Sequence, residues 1–179
     1  CSSGFFMSHA NALGFDTYGV ELHRIESEYA IQHGCKILGE TIDDIPNDLS
    51  FDVITLWDVL EHIPNPVEHL IALKQLLRPG GILFFQVPSS DSLAARVLRK
   101  DCKMFDGIEH VTLLSKKSLN VLLEKANFKL ECLSTVIPET HCLSNLISYS
   151  EDLYTSKPNH QFANLLQISE EQILKNNLG

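Results

Sequence analysis

The 179-residue chain is the size of one domain, with a surface burial on folding of roughly 70% at that length, so a second independent core is not expected. Hydrophobic residues make up 44% and charged residues 21%, a globular composition rather than a disordered one. With 14 Lys and Arg against 23 Asp and Glu, the net charge of -9 offers no general attraction to nucleic acid or to an anionic membrane.

The five cysteines, Cys1, Cys35, Cys102, Cys132 and Cys142, form no C-x-x-C pair, so reduced thiols are expected. No apolar run approaches membrane-spanning length and no basic-then-apolar leader opens the chain, which sets the expectation of a cytoplasmic protein without membrane insertion. Cys1 stands where an initiating Met would, and is not expected to be the native start.

In chain order, the small-residue loop Cys1-Ser2-Ser3-Gly4 leads into a helix over 5–13, and 17–21 reads as a short strand ending on Glu21. A helix over 24–32 stops at Gly34, because the residue after a helix usually needs positive φ. Strands follow at 35–38 and, rich in β-branched and aromatic residues, at 51–57. Asn65-Pro66 opens a helix whose stripe is Val67, Leu70, Leu73 and Leu77, with Pro79-Gly80-Gly81 as its stop. The apolar run 82–87 suits a strand covered on both faces. Ser115 caps a helix carrying Leu119, Leu122, Leu123 and Ala126, and 128–132 alternates like a half-exposed strand. Strands alternating with helices require crossovers, which predicts an α/β, doubly wound, mainly parallel sheet. Residues 137–179, with Pro138, Pro158 and a capping box at Ser169 and Gln172, break this rhythm and read as a helical extension or lid after a domain over 1–136.

Local motifs carry the chemistry. Cys1-Ser2-Ser3-Gly4-Phe5-Phe6 resembles the second half of the D-x-G-x-G-x-G loop of class I S-adenosylmethionine-dependent methyltransferases, with Ser2 in place of the middle glycine. The segment 51–66, FDVITLWDVLEHIPNP, followed by LLRPGG at 76–81, resembles the signature of the ubiquinone-biosynthesis O-methyltransferase group, and 109–115 with Ala126-Asn127-Phe128 resembles a later stretch of the same group. The resemblance covers about residues 1 to 136 and departs at Ser2 and Asn127, where glycines are usual.

That resemblance implies a Rossmann-like methyltransferase fold and S-adenosyl-L-methionine as cofactor. Cys1, Ser2, Ser3 and Gly4 would approach its methionine and adenosyl parts, Glu21 would meet the ribose, and Glu40, Thr41 and Ile42 would sit near the adenine, with Leu22, Leu56 and Trp57 completing the set. It implies a small-molecule acceptor (a quinone precursor, a sugar or another metabolite) methylated on O or N, with Asp58, His62 and His110 as candidate bases. Small-RNA 2′-O-methyltransferases and some ubiquinone-pathway relatives also bind a divalent ion through an E-x-x-E-H set plus a distant His. The matching residues here are Asp58, Glu61, His62 and His110; the preferred reading is that Glu61 and His62 simply pack the turn after the strand. In the family sheet order, 3-2-1-4-5-7-6, the strand ahead of the glycine loop lies between those at 17–21 and 51–57. The first and last strands are therefore expected to be absent from this sequence.

Two rivals remain. A nicotinamide oxidoreductase would share the acid after the second strand but wants G-x-G-x-x-G, and this loop has too few glycines. A non-catalytic cofactor-binding module would keep the same loop and acid.

Overall fold

The structure, a computed structural model, describes residues 1–92, 95, 96, 99, 102 and 107–135. The expected extension at 137–179, including the cap at Ser169, lies outside the described residues. The chain divides into two compact units, one of Cys1–Asp52 with Gln75–Gly81, the other of Val53–Lys74 with the residues from Ile82 onward.

In the first unit, α1 (Phe5–Ala12) precedes β1 (Tyr18–Val20), and α2 (Arg24–Gln32) is the crossover to β2 (Lys36–Gly39). The two strands are parallel, pairing Tyr18 with Lys36 and Gly19 with Ile37, then shifting register so that Val20 meets Gly39. Met7, Ala30 and Cys35 form the buried centre, with Ile37 against it. Close approach decides the glycine at position 4: its φ is +80°, and a Cβ there would lie 2.4 Å from the Cys35 Sγ.

Helix ends follow one pattern. After α2, the Cys35 N–H donates to the Ala30 carbonyl and the Gly34 N–H to Ile31, both at 3.0 Å, the paired bonds of a Schellman motif with Gly34 at positive φ, as expected. α1 ends alike through Phe15 and Gly14. So does α4 (Lys116–Lys125), where Phe128 donates to Leu123 and Asn127, at φ 56°, donates to Glu124. Asparagine tolerates the left-handed region better than other non-glycine residues, which explains how Asn127 replaces a usual glycine.

β3 (Phe51–Trp57) and β4 (Leu77–Gln86) pair in a separate two-stranded sheet. The Phe51 N–H donates to the Leu76 carbonyl and the Asp58 N–H to Gln86, so both strands advance together and are parallel. Between those bonds β4 runs about three residues longer than β3, which places Arg78-Pro79-Gly80-Gly81 in a bulge, where a proline without an N–H is tolerated. This corrects the expected helix end. α3 (Pro66–Gln75) stops earlier, and Leu77 belongs to the strand because the sheet captures the chain from Leu76 onward.

The stripe of α3 buries Leu70 and Leu73, and that of α4 buries Leu119, Leu122 and Leu123. Ser115 caps α4 as expected: its Oγ accepts from the Ser118 N–H at 3.1 Å, and Ser118 Oγ accepts in return from the Ser115 N–H at 2.8 Å. The expected strand at 128–132 does not form; the segment is extended enough for Lys129 and Glu131 to pair at 2.7 Å, but it joins no ladder among the described residues. Likewise, β1 pairs only with β2 and β3 only with β4 among the described residues. No described helix is long and apolar enough to cross a membrane.

Candidate functional site

The first cluster lies at the carboxyl ends of β1 and β2. The Glu21 N–H donates to the Gly39 carbonyl at 3.0 Å, which sets the strand-end acid beside the segment 39–42. The loop from Cys1 to Gly4 turns back through a Gly4 N–H to Cys1 carbonyl bond of 3.2 Å, and Gly4 opens α1 in the left-handed conformation. Ser2, at the position where the family glycine is replaced, also takes positive φ, 50°, a region where a side chain is disfavoured but a close-fitting turn demands it.

Loop and acid are joined directly. One Glu21 oxygen, Oε2, accepts from the Cys1 nitrogen at 2.8 Å and from the Ser2 N–H at 2.5 Å; the other, Oε1, accepts from the His23 N–H at 2.9 Å. Burial alone would raise the pKa of this half-buried carboxyl. The positively charged terminal ammonium of Cys1, with the N–H groups of His23 and Ser2, outweighs it and holds the group below its ordinary value. Glu21 is therefore a fixed anion whose remaining lone pairs can accept from a diol.

At the adjacent turn, a 3₁₀ segment at Ile42–Asp44 is capped by Thr41, whose Oγ1 accepts from the Asp43 N–H. Asp44 returns the bond, with Oδ2 accepting from the N–H groups of Glu40 (2.9 Å) and Thr41 (2.8 Å), and those bonds lower its pKa. Gly39 is needed here because a Cβ would lie 2.2 Å from that of Asp44. Asp44, which shapes this turn, was not singled out by the sequence; a T-x-x-D capping box was the available signal. Leu22 is exposed beside Glu21.

The second cluster belongs to the other unit. Leu56 and Trp57 end β3, where the Trp57 and Phe84 rings sit 4.9 Å apart at 46°. Asp58 follows at φ 50° and accepts from Gln86 Nε2 at 3.4 Å. The 3₁₀ turn Leu60–His62 then buries Leu60 completely and leaves Glu61 only 2% exposed. Ligand atoms of Glu61, His62 and His110 all lie within 4.8 Å of one another, and the two imidazole rings are 5.0 Å apart. Asp58 is not in that group, though its charge helps to raise the Glu61 pKa.

The segment around His110 is tied to this turn across almost fifty residues. His62 Nδ1 bonds the Glu109 carbonyl at 2.7 Å, the Thr112 N–H donates to the Glu61 carbonyl at 2.9 Å, and the Thr112 hydroxyl donates to the Ile63 carbonyl at 2.7 Å. A carbonyl can only accept, so Nδ1 of His62 carries the proton and the Nε2 lone pair is left for other use. Glu61 is the opposite of Glu21. Burial pushes its pKa up, and Oε2 is buried with no hydrogen-bond partner among the described residues. Two carboxylate oxygens, one of them without a partner, and two imidazoles make a donor set of the kind that holds a divalent ion.

A methyltransferase-domain family model matches residues 1–133. The chain belongs to this family. Its methyltransferase domain is 33% identical over 95 residues to the ubiquinone biosynthesis O-methyltransferase of Paraburkholderia phymatum, covering 48% of this chain and 40% of the relative. The enzyme of the same name from Colwellia psychrerythraea is 30% identical over 95 residues (48% and 38%), and that from Idiomarina loihiensis 39% over 64 residues (36% and 26%). The chain thus spans at most about two fifths of these curated relatives. Among solved structures, a Thermotoga maritima S-adenosylmethionine-dependent methyltransferase, described as a "possible histamine N-methyltransferase", superposes with a TM-score of 0.58 at 23% identity, over 72% of this chain and 60% of that one. That likeness bears out the Rossmann-like α/β fold of the methyltransferase domain.

Proposed function

We propose that this methyltransferase domain transfers a methyl group from S-adenosylmethionine to a hydroxyl oxygen of a small molecule, with Glu21 holding the cofactor ribose and His62 taking the acceptor proton. The observation that carries the reading is the Glu21 carboxylate, held at the end of β1 by the Ser2 N–H of the Cys1–Gly4 loop and by the His23 N–H. The similarity to O-methyltransferases supports oxygen as the acceptor atom.

When bound, S-adenosylmethionine supplies a methyl carbon already activated by a sulfonium leaving group. The residues of this chain have three tasks. The Cys1–Gly4 turn leaves room for close approach, and Glu21 fixes orientation through the ribose hydroxyls. The capped turn at Glu40, Thr41 and Ile42 offers a rigid edge for the adenine. His62, exposed and with no Nε2 partner among the described residues, would take the proton that the acceptor hydroxyl gives up. Holding the reactants in line can supply roughly 7 to 11 kcal/mol of barrier reduction.

A second reading is favoured by the partnerless, buried Glu61 Oε2: Glu61, His62 and His110 hold a divalent cation, which would lower the pKa of a hydroxyl brought to it. His62 Nε2 would then be a ligand and not the base. Turnover of radiolabelled S-adenosylmethionine across catechol-type quinone precursors, sugars and small amines tests the acceptor class. Repeating it on chelator-treated protein separates the two readings, because the base reading expects full activity without metal. If no hydroxyl-bearing acceptor were labelled while an amine was, oxygen transfer would be wrong.

A further inference from the structure

We infer that Thr112 is a positioning residue for the His62–His110 pair, holding the segment 109–112 against the turn at 61–63 and thereby fixing which nitrogen of His62 is free. The inference rests on the proposed use of His62 Nε2, whether as base or as ligand. Nothing in the sequence motif points to Thr112, which stands two residues after His110.

The geometry is a two-sided clamp. On one side of His110, the Glu109 carbonyl accepts from His62 Nδ1 at 2.7 Å. On the other, Thr112 makes two further bonds to the turn, its N–H to the Glu61 carbonyl (2.9 Å) and its Oγ1 to the Ile63 carbonyl (2.7 Å). These two carbonyls flank His62 in sequence, so Thr112 grips the turn one residue before and one residue after the imidazole it serves. Beyond Thr112 the segment is anchored again, by the Ser90 N–H to the Leu114 carbonyl at 2.9 Å and a parallel bridge of Ser89 with Leu114. Thr112 thus helps from downstream to hold the Glu109 carbonyl against His62. Without that grip the carbonyl can recede from Nδ1, and the ring is then free to place its proton on Nε2, the atom that must be bare. Orienting partners of a working histidine commonly change its performance by about 10- to 100-fold when removed.

The hydroxyl bond can be removed without changing shape, since valine keeps the branching and the backbone N–H of threonine, whereas serine keeps the hydroxyl and loses only the methyl group. Long-range proton–nitrogen spectra of the neutral imidazoles in ¹⁵N-labelled protein report the His62 tautomer directly, without metal or substrate. For the wild type and Thr112→Ser the expected result is His62 protonated at Nδ1. For Thr112→Val the expected result is a mixture of both tautomers, with kcat about tenfold lower and the KM for S-adenosylmethionine within about twofold of wild type. A Thr112→Val protein that keeps the pure Nδ1–H tautomer, or a Thr112→Ser protein that behaves like Thr112→Val, would overturn the assignment. The tautomer result decides the role of Thr112 and turnover by the wild type decides the proposed reaction, so each can fail alone.

Discussion

Glu21 and Glu61 both follow a parallel strand, both belong to the methyltransferase signature, and their carboxyls meet opposite surroundings. The Cys1 terminal ammonium and the N–H groups of Ser2 and His23 converge on Glu21, and its pKa falls despite burial. Glu61 is almost wholly buried, has an oxygen with no partner among the described residues, and its pKa rises. The first arrangement suits an acid that must stay charged to accept hydrogen bonds from a neutral ligand. The second stores a cost that only a proton or a cation relieves. A strand-end acid is thus placed by the fold, but its chemistry is chosen by whether nearby N–H groups point at it.

The largest expected effect bears on the second region. His62→Ala should lower kcat by roughly 10²- to 10⁴-fold, the usual contribution of a positioned base, while affinity for S-adenosylhomocysteine changes by less than about twofold. Equal losses of rate and cofactor affinity would mean that the two clusters are not functionally separate in the way the comparison holds.

Next comes the acid that is held charged. A carboxyl whose folded pKa lies below its ordinary value adds stability that is complete above that ordinary value, 4.5 for this group, and is lost as pH falls through the folded pKa. Glu21→Gln should therefore cost about 1.5 to 3 kcal/mol in denaturant unfolding at pH 7, and the difference from wild type should shrink steadily below pH 4.5. A difference independent of pH would show that the loss comes from packing and not from charge.

Glu61 should behave in the reverse sense. Its folded pKa is raised, so its penalty is absent in acid and grows as pH rises through the folded pKa. Glu61→Gln should raise the melting midpoint at pH 8 by about 2 to 4 °C in metal-free protein, corresponding to about 1 kcal/mol, and the gain should vanish below the ordinary value. If divalent cation stabilises the wild type but not Glu61→Gln, the cation reading gains its decisive support; if cation stabilises neither, that reading is lost.

These acids show how far the sequence could be read. The strand end at Trp57, the stop at Gly34 and the cap at Ser115 were legible because each rests on local pattern, a period or a backbone demand within a few residues. The first strand ends at Val20, one residue before the expected Glu21. Leu77 was assigned to the wrong element because its helical spacing from Leu73 competes with a sheet bond from Phe51 to Leu76, which no local rule registers. The strand expected at 128–132 failed for a related reason, since alternation describes a segment fit for a ladder without supplying its partner. At the site, His62 and His110 were recognised from the motif and the structure brings them together with Glu61. The grip of Thr112 on the turn spans 49 residues to Ile63 and left no trace in either local sequence.

The smallest expected effect is a control on the scaffold of the second unit. Ser115→Ala removes the Oγ that accepts from the Ser118 N–H and should cost about 0.5 to 1 kcal/mol by thermal unfolding. Because it acts on α4 and not on the 61–63 turn, kcat at a permissive temperature should be unchanged; a fall in kcat would tie helix capping to the histidine pair.

The central claim, that the strand-end acid and the Cys1–Gly4 loop hold S-adenosylmethionine, is tested most directly by titration calorimetry of wild type and Glu21→Ala with S-adenosylhomocysteine, with NAD as the competing ligand. The account predicts that wild type binds S-adenosylhomocysteine and not NAD, and that a folded Glu21→Ala protein binds it about 10- to 100-fold more weakly, the loss expected for hydrogen bonds to a charged group. Undiminished affinity in Glu21→Ala, or preference of the wild type for NAD, would contradict it.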